Sequence, residues 1–111
     1  MRLPAHLEVS GLVRRAQAGG GFAAVLHKGE REAGTILVSL TDRGAPARLF
    51  ERLPFADGSR LWSLAREEDP QDRQAFADYL ARRVRQDPDV WVVELDIAHG
   101  ERLIGFQPKT D

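Results

Sequence analysis

Apolar positions recur along this chain in two rhythms. Between residues 5 and 18, Leu7, Val9, Leu12, Val13 and Ala16 fall at helical spacing, while Glu8, Arg14, Arg15 and Gln17 stand mostly off that stripe. This predicts an amphipathic helix. Pro4 suits its first turn, and Gly19, Gly20 and Gly21 end it, because glycine enters the left-handed conformation without a Cβ penalty. The rhythm then shortens. Two apolar runs near 22–27 and 34–40 flank a charged segment, His27 to Gly34, and predict a β-hairpin with that segment at its tip. A third run, 47–53, alternates: Ala47, Leu49 and Leu53 face one way, Arg48, Phe50 and Arg52 the other. Asp57-Gly58 is a two-residue turn signal leading into a fourth strand over 60–64, so the four strands read as a meander.

Helical spacing returns in Ala75, Phe76, Tyr79, Leu80 and Val84. Asp69 and Pro70 are suited to start this second helix, Arg82, Arg83 and Arg85 complement its negative C-terminal end, and Asp87-Pro88 stops it near Gln86. The run 90–97, Val-Trp-Val-Val-Glu-Leu-Asp-Ile, is dense in β-branched and aromatic residues and apolar on both sides at its start, which predicts a central strand. A turn at 98–101 would lead into a last strand at 102–106, paired with it as a hairpin, with 107–111 as a tail beyond a single domain of residues 1–106. The predicted class is α+β: an antiparallel or mixed sheet of five to six strands, with two helices on one face, in the order α-β-β-β-β-α-β-β.

Composition narrows the function classes. The 111 residues are 42% apolar and 30% charged with a net charge of −1, the balance of a globular domain and not of a polyanion-binding one. No apolar run reaches the length of a membrane helix, no basic-apolar leader is present, and there is no cysteine, so a cytoplasmic protein with no membrane partner is expected. Of 16 basic residues, 14 are arginine. Arg14, Arg15, Arg82, Arg83 and Arg85 would form a nucleic-acid patch only if folding gathers them.

No motif names a reaction. His6, His27 and His99 lack the helical spacing by which two imidazoles share a metal, so no metal or cofactor is expected. The three glycines at 19–21 follow a helix instead of opening one, which removes the phosphate-cradle reading. Ser10, Ser39, Ser59 and Ser63 have no nucleophile-elbow context. Two constellations are worth carrying forward. Phe50, Arg52, Arg60 and Trp62 would form an arginine-bordered aromatic surface if the outer sheet face is open. His27, Lys28 and Glu51 would supply an acid-base set for a phosphorylated or nucleic-acid ligand if the fold brings them together.

Arg14-Arg15, Gly20 to Val25, Gly29-Glu30 leading to Ala33 to Val38, Arg60-Leu61-Trp62, and Arg82-Arg83 before Asp87 to Glu94 together resemble a family of small, uncharacterised alphaproteobacterial proteins. The likeness spans most of the chain and implies a single-domain cytoplasmic bacterial protein. It carries no activity and no site residues. The leading expectation is a non-enzymatic binding or protein-interaction module, with a protein partner or a second copy of the chain as its target. A small hydrolase or nuclease is the alternative.

Overall fold

The computed structural model describes residues 3–54 and 60–106. The Asp57-Gly58 turn and the 107–111 tail lie outside them. Eight elements follow in order: α1 (Ala5–Ala18), β1 (Phe22–His27), β2 (Ile36–Thr41), β3 (Arg48–Pro54), β4 (Arg60–Glu67), α2 (Arg73–Gln86), β5 (Trp91–Asp96) and α3 (Gly100–Ile104). The strands form one mixed sheet in the order β1-β5-β2-β3-β4, antiparallel except where β2 and β5 run parallel. The α+β class stands, and β5 lies inside the sheet as its two-sided apolar run predicts.

The expected β1–β2 hairpin does not form. β1 and β2 do run in opposite directions, but β5 is inserted between them, so each is hydrogen-bonded to β5 instead of to the other. The reason is burial. Val90, Trp91, Val92, Val93 and Leu95 are all buried, and a strand apolar on both faces needs neighbours on both edges as well. The charged segment expected as a hairpin tip instead bridges over the start of β5. Glu30 N–H donates to Asp89 O (2.8 Å), and Trp91 Nε1 donates to Glu30 O (2.7 Å). A Cβ added at Gly29 or Gly34 would sit 2.1 or 2.4 Å from Asp89 O. Those two glycines are where backbone meets backbone, which is their physical role.

The bridge also closes the start of α1. Pro4 has no side chain to cap the helix, and the first amides are satisfied by the bridge: Ala5 N–H reaches Glu32 O at 2.9 Å and His6 N–H reaches Arg31 O at 3.0 Å. At the far end Gly20 takes φ 86, so the glycine stop works as the sequence implies.

Helices cover both faces of the sheet, not one. On the first face Ala5, Val9, Leu12 and Ala16 of α1 and Ile104 of α3 pack on Ile36, Val38, Leu40, Phe50, Trp91, Val93 and Leu95. On the second, Phe76 of α2, with Tyr79, Leu80 and Val84, packs on Leu37, Ala47, Leu49, Val90 and Val92. Alternate residues of β2 therefore serve two cores. Burial of each large apolar side chain contributes about 1.5–3 kcal/mol. The α2 start also differs from expectation. Asp72 is the cap and accepts from Ala75 N–H, while Asp69 turns back on Gln71 N–H.

The expected last strand is the short helix α3. His99 (φ 58) and Gly105 (φ 80) bracket it in the left-handed region. Gly100 lies where a Cβ would come within 2.9 Å of Leu40, so the segment turns down onto the first core instead of continuing the sheet.

Candidate functional site

The proposed aromatic-arginine surface lies on the face that α1 covers. Phe50 is 0% exposed and stacks at 4.8 Å, tilted, against Phe106. Arg52 is 7% exposed and ion-paired with Glu8 of α1. Trp62, directly opposite Arg52 across the β3–β4 ladder, is half-buried against the first core. Arg52 and Trp62 do share a hollow of about 320 Å³ beside α1, but the Arg52 charge there is already matched by Glu8. Arg60 opens β4 opposite Pro54. The premise of an open outer face is therefore corrected: the side of β3 expected to face outward is turned into the first core, beneath α1.

His27, Lys28 and Glu51 are not brought together. His27, Val92, Leu37 and Glu51 occupy one row across the sheet, which places His27 and Glu51 three strand spacings apart, about 14 Å. Each is engaged elsewhere. His27 Nδ1–H donates to Val90 O at 2.8 Å, and the Glu51 carboxylate accepts two bonds from Arg83 at 2.8 and 3.2 Å. The Glu51 bond, helped by Tyr79, raises Arg83 above the ordinary arginine value, so its charge is held more firmly. Tyr79 is ringed by the guanidinium groups of Arg66, Arg82 and Arg83 at 4.8, 5.8 and 5.9 Å. The helix arginines do not converge either, since Arg14 and Arg15 belong to the α1 side of the sheet and Arg82, Arg83 and Arg85 to α2.

At the carboxyl ends of the parallel strands β2 and β5, a hollow of about 220 Å³ is bordered by Asp42, Arg48, His99 and Glu101. That is where open sheets bind ligands, but here the Arg48–Glu101 ion pair occupies the polar groups. Among the described residues no group of three or more His, Asp or Glu could hold a metal, and no helix is long and apolar enough to cross a membrane.

A larger concavity than these two hollows is one that sequence reasoning passed over. A groove of about 800 Å³ runs between α1 and β1, with Val9, Val13, Val25 and Trp91 along its floor. Its charged lining is Arg14, Lys28 and Arg31, with His6 and no carboxylate. α1 packs against β1 through Ala23, yet Val25, one alternation further along the same face, is 40% exposed in the groove. On the other face Phe22 is 77% exposed and Ala24 is exposed, standing beside Asp96 and the exposed Glu94 beyond the reach of α2. Leu26, at a bulge between Val25 and His27, is 51% exposed. β1 is also an edge, so one side of its backbone has no ladder partner among the described residues. The signal for this site is the run Phe22-Ala23-Ala24-Val25-Leu26, which is apolar on both faces and which the hairpin reading pairs with 34–40.

Comparison with known proteins accords with this fold. A crystal structure of a DUF1491 family protein from Caulobacter crescentus CB15 superposes with a TM-score of 0.79 at 37% identity, covering 97% of this chain and 100% of that one. An NMR structure of a DUF1491 family protein from the same organism gives 0.78 at 38% identity, covering 99% of each chain. The solution structure of protein Atu0922 from A. tumefaciens gives 0.78 at 31% identity, covering 99% of this chain and 100% of that one. No curated protein matches. The family model "Protein of unknown function (DUF1491)" matches residues 3–105, and with three solved structures sharing the whole fold, the chain belongs to the DUF1491 family.

Proposed function

We propose that the protein is a non-enzymatic interaction module whose working element is the free edge of β1. One observation carries this reading: a six-residue edge strand, Phe22–His27, has neither lysine, proline nor carboxylate along it and exposes Phe22, Val25 and Leu26. Edge strands of soluble proteins are normally blunted by charge, proline or a covering segment, because unpaired backbone groups template further pairing. An apolar edge left open is suited to receive a strand from another chain, with backbone hydrogen bonds supplying affinity and alternate side chains supplying selectivity. The separation of His27 from Glu51, and the engagement of each with other groups, gives the hydrolase or nuclease alternative no comparable support.

A photoreactive amino acid at Ala24, which is exposed and central in β1, tests this in the native host cell. The expected result is a light-dependent covalent adduct to a protein chain. Absence of any protein adduct, with the chain folded and abundant, would remove the reading.

A further inference from the structure

We infer that the strand received at β1 belongs to a different protein and alternates acidic with apolar side chains. This rests on the interaction-module reading and adds the chemistry of the partner.

The argument comes from what the two sides of β1 present. A strand added to this edge would project alternate side chains to opposite faces of the sheet. On the α1 side they would meet the outer rim of the groove, where Arg14, Lys28 and Arg31 stand around an apolar floor with no lining carboxylate. Among the described residues, Arg14 and Lys28 have no ion-pair partner. Arg31 meets Glu32 only at 4.0 Å, with both side chains mostly exposed, a pair that solvent largely screens. In a chain whose net charge is −1, this is a local concentration of one sign. Acidic side chains on that face of the incoming strand would be matched by it, and would be steered to it at low salt. On the opposite face the incoming side chains would meet Phe22, whose exposed ring is covered by apolar residues and not by charge.

A second copy of the chain fits less well. Its own edge strand, Phe-Ala-Ala-Val-Leu-His, contains no carboxylate and so offers nothing to the three cations. Charge complementarity therefore selects a foreign, acidic-apolar strand.

The test uses the purified protein and a blocked octapeptide of alternating aspartate and valine, with a lysine-valine octapeptide as its charge-reversed counterpart. The expected result is saturable binding of the aspartate peptide, with amide shifts concentrated in residues 22–28, weakening with added salt. Replacing both exposed cations, Arg14→Glu with Lys28→Glu, should lower that affinity by about tenfold or more while the circular dichroism spectrum and thermal midpoint stay close to those of the parent. Equal or tighter binding of the lysine peptide, shifts lying away from β1, or a concentration-dependent dimer that occupies the edge would each overturn the inference. If neither peptide binds while the Ala24 adduct to another protein persists, the acidic-apolar chemistry fails and the edge reading survives. If the adduct is also missing, both fall.

Discussion

The two edges of this sheet are built on opposite terms. β4, at one end, carries Arg60, Arg66 and Glu67, and its ladder with β3 is broken by an irregularity at Leu49/Phe50. Arg66 leans over Tyr79 of α2, and Trp62 is drawn under the first core. β1, at the other end, has no charged residue and no helix lying fully over either face. Each edge has one irregularity in its ladder, at Leu49/Phe50 beside β4 and at Val25/His27 in β1, but only β4 is also defended against pairing by charge and packing. The difference teaches that exposure of apolar residues alone does not mark a contact surface here. Leu61 and Leu64 of β4 are exposed as well, but they sit within a charged, irregular strand. What distinguishes β1 is exposure joined to an edge without charged residues and a neighbouring groove of one charge.

The contrast can be broken most severely at the bridge that places β1. Gly29→Ala would drive a methyl group into the Asp89 carbonyl, against the Val90 backbone and the buried Trp91 ring, with no flexible side chain to yield. A loss of about 3 kcal/mol or more is expected in urea unfolding, the size reserved for strained backbone and disrupted cores. A near-neutral result would mean the bridge does not hold β5 between its neighbours. Trp62→Ala comes next, at about 2 kcal/mol, since the ring is only partly buried. This variant should lose stability while keeping association at β1. If it instead lost association at unchanged stability, the working surface would belong to the β4 side. The smallest stability effect belongs to Phe22→Lys combined with Leu26→Lys, both at exposed positions, at within about 0.5 kcal/mol each. Partner capture through Ala24 should nevertheless disappear in this double variant, because lysine restores the guard that β1 lacks. Retained capture would show that the edge is not the contact.

Local order was readable from residue spacing. The α1 stripe, the glycine stop at Gly20, the α2 end at Gln86 and the interior placement of β5 all follow from patterns spanning a few residues. Pairing was not. Two consecutive apolar runs with a short charged connection read as a hairpin, and only the need to enclose β5 separates them. The second core was visible in principle in Ile36-Leu37-Val38-Ser39-Leu40, five consecutive buried residues of β2, a run that cannot serve a sheet with one wet face. For the same reason the candidate surface around Phe50, Arg52 and Trp62 turned inward. Alternation in β3 separates two sets of residues without saying which set meets solvent, and here neither does: Leu49 and Phe50 are both fully buried.

Taken alone, the order of residues determined which segments coil and which extend everywhere but at α3, because those choices depend on neighbours within a turn or two and on glycine and proline geometry. The tertiary structure decided that β5 would divide β1 from β2, that helices would cover both faces, and that β1 would be left at the rim beside a cationic groove. Those outcomes depend on contacts between residues as far apart as Val25 and Val93, where the competition is for burial on two faces and two edges at once, and no short stretch of sequence contains both competitors.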